Sequence, residues 1–155
     1  MTTAPIPPHK SLAPGEIKLD YIPADFPLTP LQGKKAYIPG WTTDPKTLIE
    51  VQRELEEGRA TGVGLLCGQW SNELAIIMVD IDGEEGLRSV EELGGGPLHS
   101  IFPATLTISS GKPGRLRMVF RVPADRVAML PDKATIKVDK APWEILWRSR
   151  QGAIM

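Results

Sequence analysis

Two aspartates, Asp80 and Asp82, close the run LAIIMVDID at residues 74–82, and they are the residues of this chain whose types and spacing point most directly to chemistry. Side chains two apart on a strand share a face, so the two carboxylates point the same way. Carboxylates at the end of an apolar strand are costly to place unless a cation meets them, and a divalent metal ion meets both at once. Asp82 also has a simpler reading, since Glu85 three residues later fits a helix capping box; Asp80 has none. A second set is cationic. In LRMVFRV (116–122), Arg117 and Arg121 fall on one face with Arg115 just before, a pattern suited either to a groove that holds phosphates or to an edge strand with one wet face. The loop SSGKPGR before it offers the backbone N–H groups of Gly111 and Gly114 and the Lys112 ammonium to an anion; it is no P-loop, because Pro113 lacks an N–H. Glu144, in WEILWR, is a candidate third carboxylate or the partner of a surface arginine.

The elements that must position these groups follow from the pattern around them. Ile76 and Met78 occupy one face of the first strand and Ile77 and Val79 the other, as expected of a central strand covered on both sides. Upstream, Asp44 followed by Pro45 reads as an N-cap with proline in the first turn, and the apolar spacing predicts a helix over 45–57. VGLLC, bracketed by Gly62, Gly64 and Gly68, reads as a short strand pairing with the acidic one through the loop 69–72; these glycines make no Walker A loop, since no Gly-Lys-Ser/Thr follows. A short helix is predicted over 84–93, stopped by Gly94 to Gly96. Strands are predicted over 104–109, 116–122, 135–138 and 143–147, with one helical turn within 124–133. Lys34 and Lys35 are either solvated or within reach of phosphates.

Composition bounds the rest. The chain has 155 residues, 41% hydrophobic and 24% charged, the size and make-up of one globular domain. No apolar run approaches the roughly 20 residues of a membrane span and no signal peptide opens the chain, so a cytoplasmic protein without a membrane partner is expected. The single cysteine, Cys67, excludes an internal disulfide and a cysteine zinc site, and reads as a buried thiol. The net charge of −1 hides a polarity: residues 1–110 carry 8 Lys/Arg against 15 Asp/Glu, and residues 111–155 carry 10 against 4. A basic last third beside an acidic middle suits a polyanionic ligand such as a nucleotide or nucleic acid. Nine of the fifteen prolines lie in residues 1–45, predicting an extended entry whose first dozen residues are mobile. The run QGAIM at the other end has neither cap nor turn, as if the domain were cut short.

Taken in order, FPLTPLQGKKAYIPGW, TGVGLLCG, IIMVDIDG, SSGKPGRLRMVFRVP and WEILWR resemble the bifunctional DNA primase/polymerase (Prim-Pol) domains of the archaeo-eukaryotic primase superfamily, found in plasmid, phage and bacterial replication proteins. The resemblance implies an α+β fold, a primase/polymerase catalytic core with a mostly antiparallel, RRM-like central sheet flanked by helices, over residues 26–155 after a proline-rich segment 1–25. It makes Asp80, Asp82 and Glu144 the metal and catalytic carboxylates, holding two Mg²⁺ or Mn²⁺ ions. Ser109, Ser110, Gly111, Lys112, Arg115 and Arg117 fall where the family binds the triphosphate. The implied partners are nucleoside triphosphates and a single-stranded or primed DNA template, with a helicase domain elsewhere in a longer protein, and a monomer is expected. Two departures stand out: Arg117 occupies the place where many members carry histidine, and the Pro-Pro-Ser-like continuation after the last strand is missing. Two other functions fit part of the pattern. One is an inactive nucleotide- or DNA-binding module of the same fold; the other is a haloacid-dehalogenase-type phosphatase, whose signature also ends Asp-x-Asp-Gly but requires a later acidic pair not found here.

Overall fold

A computed structural model describes residues 19–131, 135–137, 140–148 and 150–154. The expected mobility of the first dozen residues and the end of the predicted strand at Val138 fall outside them. The acidic strand, β4 (Leu74–Ile81), is central as its pattern demands. It pairs antiparallel along its whole length with β6 (Leu116–Pro123). On its other side it meets β3 (Gly62–Gln69) near their shared turn and β8 (Trp143–Leu146) further on. β3 and β4 share only Gly68↔Ile76 and Gln69↔Ala75. Beyond these, β3 pairs with β1 (Leu28–Gln32) and with β9 (Arg150–Ala153), so β8 and β9 fill the fork between the diverging strands. β2 (Lys35–Ala36), β5 (Leu106–Ser109) and β7 (Thr135–Lys137) complete, among the described residues, a nine-stranded antiparallel sheet. With its helices this is the expected α+β architecture.

Both faces of β4 are covered. Ile76 and Met78 pack with Leu28, Val63, Leu65, Val119, Leu146 and Ile154, under Val51 of α1 (Leu48–Glu56). Leu19 and Ile22, from the proline-rich entry, are buried in the same cluster. On the opposite face Val79 and Ile81 pack with Met118, Trp143 and Val90 of α2 (Glu84–Gly94), with Leu98 of α3 (Leu98–Ile101) beside them. Ala75 and Trp147 pack with Val127 of α4 (Ala124–Ala128). Among the described residues no helix is long and apolar enough to cross a membrane.

Four readings change. The first helix starts at Leu48 rather than at Pro45: the Lys46 backbone exchanges two hydrogen bonds with Leu28, so the chain is still extended there. Thr47 caps it instead, in a reciprocal capping box with Glu50, while Asp44 takes the Lys46 ammonium at 2.7 Å. The capping role for Asp82 does not occur: the N-cap of α2 is Gly83, without a side-chain hydrogen bond. The arginine-bearing strand β6 is not an edge, since β4 and β5 flank it. Finally, the run at 150–153 is a strand, β9, whose Gly152 lies against the Met78 thioether with no room for a Cβ. Nothing in RQGA alternates; the pairing with β3 makes it a strand.

Candidate active site

Antiparallel pairing aligns one residue from each of five strands across the sheet. Ile108 of β5 stands opposite Arg117 of β6, Arg117 opposite Asp80 of β4, Asp80 opposite Glu144 of β8, and Glu144 opposite Lys137 of β7. Residues directly opposite in an antiparallel pair project to the same face with Cβ atoms about 4.5–5.5 Å apart. Past Ile108, the row therefore reads cation, acid, acid, cation. Asp80 and Glu144 are the acids in its middle, and like charges directly opposite each other are destabilising unless a cation joins them.

This row lies in a cavity of about 650 Å³. Ser109, Ser110, Lys112 and Arg115 form one part of its wall; Gly33 and Lys34 of the β1–β2 turn and Ala153 and Ile154 at the end of β9 form another. Asp82 lines it just past the end of β4. Gly111 belongs to the same turn as the serines but does not line the cavity; its N–H donates to Ser109 Oγ at 3.2 Å.

Two guanidinium groups hold the aspartates. Arg117 Nε donates to Asp80 Oδ1 at 3.0 Å, with the two side chains about a third and a quarter exposed, and Arg117 Nη1 donates to the Ala153 carbonyl of β9. Arg115 Nε lies 2.6 Å from Asp82 Oδ1, in a more open position. Arg117 thus ties the acidic strand to β9. No ion pair of Glu144 occurs among the described residues, although Lys137 stands opposite it.

Close backbone approaches fix the walls. Gly114, at φ 70°, packs against the backbone of Gly83 and Glu84, so the Ser-Gly loop is seated on the turn that follows the two aspartates. A Cβ at Gly114 would overlap that backbone, and the positive φ is itself unfavourable for other residues. The Asp82 N–H donates to the Pro142 carbonyl at 2.8 Å, and Gly86 leaves room for the same carbonyl. These contacts bind the turn after β4 to the segment leading into Glu144.

Cys67 is buried, and burial, followed by the negative charge of Asp80, pushes its thiol up to about 12. A thiol so far from ionisation is no nucleophile at neutral pH.

The structure thus brings Asp80, Asp82, Glu144, Ser109, Ser110, Lys112, Arg115 and Arg117 to one cavity. Lys137 had no signal in the sequence, because only the register of β7 against β8 places it beside Glu144. Lys34 had a partial one, as half of a lysine pair after a glycine.

No curated protein and no solved structure matches the chain. The family model for the N-terminal domain of bifunctional DNA primase/polymerases matches residues 18–154, from just before Leu19, the first described residue, to one residue past β9. With nearly its whole length matched, the chain belongs to the bifunctional DNA primase/polymerase N-terminal (Prim-Pol) family.

Proposed function

We propose that this chain carries out template-directed nucleotidyl transfer, adding nucleotides from nucleoside triphosphates to a DNA strand. The observation that carries the reading is the row Arg117, Asp80, Glu144, Lys137 across one face of the sheet, inside a cavity walled by Ser109, Ser110 and Lys112. Membership of a family of DNA primases and polymerases supplies the reaction class.

The carboxylates fit hard divalent ions in donor type, since Mg²⁺ and Mn²⁺ take oxygen ligands. Among the described residues no three acidic, histidine or cysteine side chains stand as a ready group for an ion. Instead Arg117 and Arg115 sit on two of the three carboxylates. Asp80 and Glu144 would hold the ions between them, with Asp82 completing the set. When bound, such ions neutralise the triphosphate, activate the attacking 3′-hydroxyl and stabilise the departing pyrophosphate. In the transfer itself the 3′-oxygen bonds to the α-phosphorus, the bond to the β-phosphate oxygen breaks, and the hydroxyl proton leaves to solvent.

The chain's own side chains do the binding. Guanidinium groups match phosphate oxygens in pairs, so Arg117 and Arg115 hold the triphosphate once their carboxylates have a stronger cation. Lys112 adds a point charge, and the Ser109 and Ser110 hydroxyls and nearby N–H groups complete an anion cradle. Arginine at 117 has a consequence that histidine would not have: its guanidinium presents a planar fork of N–H donors that serves either Asp80 or a phosphate.

The test is a primed DNA template with nucleoside triphosphates and Mn²⁺. Template-dependent extension supports the reading. Metal-dependent nucleotide binding without extension would mark an inactive binding module, and phosphate release from a simple phosphoester would mark a phosphatase.

A further inference from the structure

The space around the acid pair does not end at the wall that holds the Ser-Gly loop. A second hollow of about 430 Å³ adjoins the first at Asp80 and Glu144; the two share Lys34, Arg117, Lys137 and Ala153 as well, but Arg150 lines the second alone and none of its lining comes from residues 106–115. Its charged lining is mostly positive: Lys34, Lys137 and Arg150, besides the Arg117 that Asp80 already holds. Lys137 and Arg150 are both exposed, and neither side chain forms an ion pair or hydrogen bond among the described residues. In the cross-strand row Lys137 lies beyond Glu144, on the opposite end from Arg117. Cations thus flank the two carboxylates on both sides.

In phosphoryl transfer the attacking and leaving oxygens stand roughly in line, on opposite sides of the phosphorus. If the triphosphate lies on the side of Ser109, Lys112 and Arg115, pyrophosphate departs there. The attacking hydroxyl then arrives from the side of Lys137. A strand of nucleic acid that delivers it brings backbone phosphates into the second hollow, where they meet the Lys137 ammonium and the Arg150 guanidinium.

We propose that Lys137 and Arg150, with Lys34 at the rim, form the site that holds the backbone phosphates of the strand whose 3′-hydroxyl attacks. The assignment rests on the nucleotidyl-transfer reading for the direction of attack. Its test reads DNA binding alone, so the two can fail separately.

The experiment measures fluorescence anisotropy of a labelled single-stranded oligodeoxynucleotide across a salt series, for the whole chain and for the double variant K137Q/R150Q. Each lost phosphate contact lowers the slope of log affinity against log salt by about 0.7 on single strands, so the variant should bind at least about tenfold more weakly at low salt with a slope shallower by about 1.4. The single variant R150Q, whose side chain lines the second hollow and not the first, should keep its affinity for a fluorescent nucleoside triphosphate in the presence of Mn²⁺ within about twofold while its salt slope falls by about 0.7. K112Q, on the opposite wall, should show the reverse: weaker nucleotide binding and an unchanged salt slope. Both replaced side chains of the double variant are exposed, and matching circular dichroism and Tm would confirm that it folds. An unchanged DNA affinity and slope in the double variant would overturn the proposal, as would an equal loss of nucleotide and DNA binding in R150Q. A wild-type chain that extends no primer yet loses DNA binding in K137Q/R150Q would sustain this site and overturn the transferase reading instead.

Discussion

Replacing Arg117 by glutamine separates its two proposed duties, because they move two affinities in opposite directions. In the free protein Arg117 Nε stands 3.0 Å from Asp80 Oδ1 with both side chains mostly shielded. At an effective dielectric near 20 the bare attraction at that distance is about 5 kcal/mol, and desolvation and residual water reduce the net to about 1–3 kcal/mol. A divalent ion that binds Asp80 must first displace the guanidinium. R117Q removes that competitor, so Mn²⁺ should bind the nucleotide-free protein about 5- to 150-fold more tightly, the same free energy expressed as a ratio of constants. Nucleoside triphosphate binding should weaken, since a phosphate partner is lost. Mn²⁺ binding can be followed by electron paramagnetic resonance of the free ion, and nucleotide binding by calorimetry. Without metal the variant should unfold more easily than wild type by the same about 1–3 kcal/mol, each kcal/mol being about 2–4 °C of Tm in a domain this size. Saturating Mn²⁺ should close that gap. Unchanged or weaker Mn²⁺ binding in R117Q would refute the competition.

Two other perturbations test the frame around the site. Gly114→Ala puts a Cβ into the Gly83–Glu84 backbone at a φ of 70°, so the Ser-Gly loop must lift away; nucleotide affinity should fall at least about tenfold while the Tm drops by no more than several degrees, about 1–3 kcal/mol of strain and overpacking. Glu54 accepts from Arg59 at two oxygens and from the Tyr37 hydroxyl, tying the β1–β2 hairpin side to α1; the Arg59 bonds first and Tyr37 second hold its carboxyl down at about 2, while burial, then Glu54, raise Tyr37 to about 12. A depressed carboxyl stabilises the fold above its ordinary value of 4.5 and loses that contribution as pH falls toward 2; a raised phenol stabilises below 10 and loses it as pH rises toward 12. Urea midpoints of wild type and E54Q should therefore differ most between about pH 5 and 10, converge as pH falls toward 2, and close only in part as pH rises toward 12, where the Tyr37 bond is lost and the Arg59 bonds remain; a constant difference from acid to neutral pH would contradict the assignment.

How far the sequence carried the structure depended on whether the deciding interaction was local. The burial of β4 on both faces was legible because LAIIMVDI has no polar residue before Asp80, and only a central strand tolerates that. The convergence of Asp80, Asp82 and the Ser-Gly loop was legible through the family resemblance, which keeps their order. The start of α1 was misread because Asp44-Pro45 is a good cap signal in isolation, whereas the bridge from Lys46 to Leu28 is a long-range contact. β9 was missed for the same reason: four residues with a central glycine carry no periodicity, and their strand character comes from pairing with β3 and from the space over Met78 that only glycine leaves. The partners of the acids were the least legible part. That Arg117 rather than Arg121 meets Asp80, and that Lys137 stands beside Glu144, follow from register, and a shift of one residue would have turned these side chains to the other face. Arg121 instead lies over the Phe26 and Trp70 rings and pairs with Asp25.

The claim on which the rest stands is that Asp80, beside Glu144, holds the ions on which nucleotide addition depends. It is tested by Mn²⁺-dependent extension of a primed DNA template with wild type and Asp80→Asn, a change that keeps the shape of the side chain and removes its charge. Loss of several kcal/mol of transition-state stabilisation corresponds to a rate about 10²–10³-fold lower, so D80N should show that fall with its fold intact. Extension by D80N within about tenfold of wild type would contradict it.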